Sequence, residues 1–134
     1  MATITSKYLG ELRTELTHVK SGQTFITDAP IDNNGRGEAI SPTDTVCAAL
    51  GACMMTIMGI MAERKGVSME GMTVDITKFM AADPRRISEI HLNFHWPNPP
   101  ADEVEREKFK RAALTCPVAL SLHPDIKQVV QFSF

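Results

Sequence analysis

Between Ser41 and Lys65 the chain reads SPTDTVCAALGACMMTIMGIMAERK, and from Val46 to Ala62 only Thr56 and two glycines interrupt Val, Cys, Ala, Leu, Met and Ile. The opening Ser41-Pro42-Thr43-Asp44 is a helix start. Ser41 can cap the unpaired N–H groups, and Pro42 suits the first helical position, where its missing N–H is not needed. Asp44 can reach back as in a capping box and meets the positive end of the helix. Glu63-Arg64-Lys65 and then Gly66 give the stop, with cations at the carbonyl end and glycine beyond it. A helix lying on a surface shows a polar side, and this one has none, so it is expected to be buried nearly all round. Its uncharged stretch, Thr45 to Ala62, is about the minimum length that crosses a bilayer. It is rich in Ala, Gly, Cys and Thr rather than Leu and Phe, and no other segment resembles a span. The reading is therefore a central core helix, with no membrane partner.

A chain of 134 residues can bury a real core, and a single domain, 1–134, is expected. The net charge of −2 offers no basic field to nucleic acid. Met1–Lys7 lacks a basic start followed by an apolar block, so the expected location is cytoplasmic. In that compartment three cysteines (Cys47, Cys53, Cys116) suit redox or metal chemistry better than a disulfide framework. Zinc has little support. There is no CxxC, and His18, His91, His95 and His123 have no close ligand spacing to any cysteine. No metal and no cofactor are expected.

Residues 2–28 read as an antiparallel meander, with Leu9–Val19 as one strand and Lys20-Ser21-Gly22 as a turn. Asp28–Ile40 is a loop. Beyond the central helix, 72–80 and 87–96 alternate as two strands about a turn at Asp83-Pro84. Asp102–Thr115 is a charged helix with acids first and bases last, and Val104, Phe109, Ala112 and Ala113 on its apolar face. Pro117–Leu122 is a short helix with Cys116 at its start, and 126–134 is a last strand. Strands, buried helix, strands, two helices and a strand make an α+β chain.

Three pieces then combine: Ser41-Pro42-Thr43-Asp44, Ala48-Ala49-Leu50-Gly51-Ala52-Cys53, and Thr115-Cys116-Pro117-Val118. Together they resemble the family of osmotically inducible protein C and the organic hydroperoxide resistance proteins, over nearly the whole chain. The resemblance implies an OsmC-like fold, an intertwined homodimer with long central helices packed between two curved antiparallel sheets. It implies a two-cysteine peroxidase that reduces organic hydroperoxides at the dimer interface. On the matching motifs Cys53 is the peroxidatic and Cys116 the resolving cysteine, which pair as a disulfide. Arg13 is the candidate for the family's arginine. An external dithiol, of the dihydrolipoyl type in the family, completes the cycle. One departure stands at the helix start. The family's peroxidases carry Asn-Pro-Glu there, and the glutamate pairs with the arginine. Thr43 occupies that place here, and Asp44 is shorter and about 100° further round the helix.

The residues fit this chemistry on their own terms. A thiolate attacks peroxide, and an apolar setting raises a thiol's pKa unless a cation such as Arg13 opposes it. Cys116 at a helix N-terminus is expected to favour its own thiolate. Met54, Met55, Met58 and Met61, with Phe79, Phe94 and Trp96, either line a pocket for an organic tail or simply fill the core, the ordinary use of helix-spaced methionines. Met54, Thr43 and Asp44 are the candidate substrate contacts. Cys47, about 240° from Cys53, is read as inert packing. Taken alone, Cys53 would be a buried structural thiol, and the Cys-Pro-Val partner and the family pattern reverse that reading. The alternative function is a non-catalytic protein of the same fold that binds a small lipophilic ligand or senses redox state.

Overall fold

The computed structural model describes Met1–Phe134, which form two compact units, Met1–Val46 and Cys47–Phe134.

The first unit is a three-stranded antiparallel sheet in the order β1 (Ile4–Gly10), β2 (Arg13–His18), β3 (Thr24–Asp28). The continuous strand expected over Leu9–Val19 is broken. Gly10, Glu11 and Leu12 all have positive φ (91°, 52° and 63°), and Gly10 pairs with Arg13 across a tight turn. Extended backbone requires negative φ, so the chain reverses here. Glu and Leu are not the residues that announce such a turn. The Leu12 N–H donates to the Tyr8 hydroxyl (3.2 Å) and the Ala29 N–H to the Leu12 carbonyl (3.1 Å), which holds the reversal. The loop after β3 includes a 3-10 turn at Ile31–Asn33. The residues buried in this unit are polar: Thr27, Asp28 and Ser41. Its large apolar side chains Ile4, Tyr8, Leu9, Leu12 and Phe25 are exposed.

Helix α1 runs from Pro42 to Lys65. Its start is the expected capping box. The Asp44 N–H donates to Ser41 Oγ (3.0 Å), and the Ser41 N–H donates to Asp44 Oδ2 (3.1 Å). Its end is a Schellman motif: Gly66 takes φ +66°, Val67 N–H bonds the Ala62 carbonyl (2.9 Å) and Gly66 N–H the Glu63 carbonyl (3.3 Å).

In the second unit β4 (Thr73–Ala81) and β5 (Arg86–His95) form an antiparallel pair, and β6 (Lys127–Ser133) joins β5 in parallel. This sheet is therefore mixed rather than wholly antiparallel. The crossover through α2 (Glu103–Ala113) and α3 (Pro117–Ser121) is long enough to bring the chain back in the same direction. The core comprises Cys47, Leu50, Met54, Met58 and Ala62 of α1, with Ile87, Ile90, Leu92, Phe94, Trp96, Phe109, Ala113 and Cys116. Gly51 permits close packing of α1 on the sheet. A Cβ there would come within 2.5 Å of the Ile76 Cδ1. Trp96 stands edge-on to Phe109 (centroids 5.0 Å) and Phe134 (5.2 Å), tying α2 and the end of the chain to β5. Val104 does not join the apolar face of α2 and is exposed, whereas Phe109 is buried.

The all-round burial expected of α1 is not found within one chain. One stripe is covered, and Ala48, Ala49, Ala52, Thr56 and Ile60 on other sides are exposed. The helix has the length and apolarity of a membrane span, but its covered stripe belongs to the second unit's core.

Candidate functional site

Cys53 and Cys116 meet. Cys53 lies mid-way along α1, one position before the core residue Met54, and is partly exposed. Cys116 is fully buried at the start of α3. Pro117 in the first helical position ends the preceding run and leaves Cys116 extended (φ −67°, ψ 148°), the conformation of an N-cap. Its Sγ takes the part that a serine oxygen usually plays and accepts the Ala119 N–H at 3.3 Å. Cys53 is near enough to Cys116 to act on its ionisation, and none of the three cysteines is in a disulfide.

The thiolate expected at Cys116 is not favoured, because burial pushes its pKa up. The N–H groups of Ala119 and Val118 pull the other way, and the hydrogen bond and charge of Cys53 add to the rise. A five-residue helix brings too little dipole to reverse desolvation. Met54 and Met58 are wholly buried, as are Phe94 and, nearly, Trp96, so these residues fill the core. Phe79 is exposed and tilts over His91 (4.5 Å).

In the first unit Arg13 is held by acids. It pairs in register with Asp28 of β3 and grips that carboxylate with two hydrogen bonds, Nε to Oδ1 at 2.7 Å and Nη2 to Oδ2 at 2.8 Å. Nη2 also reaches Glu38 at 3.4 Å. Asp28 is fully buried and accepts a further hydrogen bond from the Glu38 backbone. The Arg13 hydrogen bond holds the Asp28 carboxyl below its ordinary range against the opposing effect of burial, and the same bond raises Arg13. Beside this clamp Glu11 and Arg36 form a second ion pair.

The model of the OsmC-like protein family matches residues 35–130. The chain belongs to the OsmC-like family. A protein of Psychrobacter arcticus 273-4, provisionally named an osmotic stress induced and detoxification response protein, is 47% identical, with TM-score 0.95 over 98% of this chain and 96% of that one. The organic hydroperoxide resistance protein OsmC of Legionella pneumophila is 17% identical, with TM-score 0.77 over 100% and 98% of the two chains. That of Elizabethkingia anophelis, with thiocyanate bound, is 16% identical, with TM-score 0.71 over 99% and 96%. The last two likenesses are of fold. No curated protein matches the chain.

Within this OsmC-like chain the helix start is occupied by its own cap. The Asp44 carboxylate receives the Ser41 N–H, and the Thr43 hydroxyl lies 3.2 Å from that of Ser41. The acid that grips Arg13 is Asp28, which sequence reasoning left in a loop boundary. Its signal was the hairpin itself. Folding the chain about Lys20-Ser21-Gly22 pairs Thr17 with Thr24 and carries the register back to Arg13 and Asp28.

Proposed function

We propose that this OsmC-like protein is a thiol peroxidase that reduces organic hydroperoxides. The Cys53 thiolate attacks the outer peroxide oxygen, the O–O bond breaks, and the alkoxide leaves and takes up a proton to become an alcohol. Cys53 is now a sulfenic acid. The Cys116 thiol condenses with it, water leaves, and a Cys53–Cys116 disulfide forms. A cytoplasmic dithiol of the dihydrolipoyl type exchanges with that disulfide, returns both thiols and itself becomes a disulfide. Arg13 is the cation assigned to Cys53 activation and to binding the peroxide.

The observation that carries the reading is the contact between the Cys53 and Cys116 thiols in a chain of this family. The hydroperoxide resistance proteins that share its fold support the substrate class. We further propose a homodimer. Its support is the apolar side of α1 that one chain leaves open, together with a first unit whose buried residues are all polar.

Stopped-flow oxidation of the reduced protein by cumene hydroperoxide and by hydrogen peroxide tests the activity, with Cys53→Ser as reference. Fast oxidation that needs Cys53 and prefers the organic peroxide is expected. A rate no faster than that of an ordinary thiol, alike for both peroxides, would favour a second reading, a non-catalytic ligand-binding or redox-sensing protein. What favours that reading is Thr43 in the place of the family glutamate, with the Asp44 carboxylate engaged in the helix cap.

A further inference from the structure

The geometry points to Asp28, on β3, as the positioning residue for Arg13, while the acid in the first turn of α1, Asp44, is engaged in the helix cap. The inference rests on the peroxidase reading and extends it to a residue outside the family's motif positions.

A guanidinium has five N–H donors in a fixed plane, so gripping one edge fixes where the rest point. Asp28 takes the Nε and Nη2 edge with both oxygens, at 2.7 and 2.8 Å. This clamp leaves Nη1, with its two N–H groups, as the end of the fork that can meet a thiolate or a peroxide oxygen. Asp28 is itself immobilised. It is fully buried, it accepts the Glu38 backbone N–H, and its own N–H donates to the Ile40 carbonyl at 3.1 Å. Arg13 is also fixed from the chain side. It follows two non-glycine residues in the left-handed region, Glu11 and Leu12, a conformation that persists only where its surroundings impose it. The imposing contacts converge on this turn: Ala29 N–H on the Leu12 carbonyl, Tyr8 on the Leu12 N–H, and Arg36 on Glu11. A bidentate pair with a buried carboxylate at a register position gives direction, which a flexible surface ion pair does not.

The test is the second-order rate constant for Cys53 oxidation by cumene hydroperoxide, measured against pH, in the wild type, Asp28→Asn, Arg13→Met and the double variant. Asp28→Asn keeps the shape and loses the charge and one acceptor. It is expected to slow oxidation about 10- to 100-fold, the scale of a misplaced catalytic group, and to move the pH midpoint of the rate upward. The double variant should be no slower than Arg13→Met alone. A purely structural Asp28 would lower the melting temperature and leave both rate and midpoint where they were. That result, beside a fast and Arg13-dependent wild type, overturns this inference alone. A slow wild type, or a fast one indifferent to Arg13→Met, overturns the activation reading with it. Should Asp28→Asn fail to fold, the wild type serves through the 15N signal of Arg13 Nε–H. Exchange at pH 7 much slower than that of an exposed arginine is expected. Exchange as fast as in an exposed arginine overturns the clamp.

Discussion

Cys116 does two jobs that substitution can separate, since its sulfur caps α3 and also stands beside Cys53. Cys116→Ala removes a fully buried atom of roughly methylene size, worth about 0.8 kcal/mol of transfer. A residual cavity of about 25 Å³ adds about 0.6 kcal/mol at the usual cost per volume. The lost cap adds about 0.5 kcal/mol, the low end of the N-cap range, because sulfur is a weak acceptor. The total is about 2 kcal/mol. Cys116→Ser keeps an acceptor for the Ala119 N–H and fills part of the space, so its cost should be about 1 kcal/mol or less. Urea denaturation of the reduced proteins, at one protein concentration and followed by circular dichroism, measures the difference. For a chain of this length it corresponds to about 3–5 °C in melting temperature. Both variants should still consume one equivalent of cumene hydroperoxide quickly and form no disulfide, with second and third equivalents, consumed slowly, taking Cys53 to sulfinic and sulfonic acid by mass spectrometry. If alanine proves as stable as serine, the sulfur cap contributes nothing. If either variant turns over repeatedly, Cys116 is not the resolving thiol.

Two other predictions concern charge and assembly. Glu105, between Lys108 (2.8 Å) and Lys65 (2.6 Å), has its pKa lowered to about 2, first by the Lys108 hydrogen bond and then by that of Lys65. Its contribution is present above the unfolded value of about 4.3 and is lost as pH falls through about 2. The stability gap between wild type and Glu105→Gln should therefore be open at pH 5 to 7 and close as pH 2 is approached; a gap constant with pH would refute the assignment. Ile60, exposed on α1, is proposed to lie in the dimer interface, so Ile60→Asp should convert a dimer to a monomer in sedimentation velocity. An unchanged sedimentation coefficient would place the interface elsewhere.

The elements that declare themselves locally were legible in the sequence. The cap of α1 follows from Ser41, Pro42 and Asp44, its stop from Gly66, and the position of Cys116 from Pro117. The alternation in β4 and β5 gave both strands. What stayed hidden depends on tertiary balance. The turn at Glu11 and Leu12 carries no turn residues and is held by Tyr8 and Ala29, which lie outside it. Asp28 looked like a loop residue until strand register set it against Arg13. The raised Cys116 pKa is not legible in the sequence, because a helix terminus can be read from Pro117, whereas the burial that outweighs it cannot.

Two adjacent sulfurs, one of them fully buried, cannot both carry charge cheaply, for the same reason that neighbouring carboxylates share a proton. Burial first, and then the hydrogen bond and charge of Cys53, raise the Cys116 pKa, which suits the proposed role of Cys116 as the thiol that waits while Cys53 attacks. In the proposed cycle Cys53 becomes a neutral sulfenic acid once the peroxide oxygen is transferred, and the charge of Cys53 no longer adds to the burial that raises Cys116. The N–H groups of Ala119 and Val118 remain aimed at the Cys116 sulfur and favour its thiolate at the moment when a nucleophile is needed. On this proposal oxidation of Cys53 removes one of the effects that raise Cys116, and the two N–H groups then oppose burial alone.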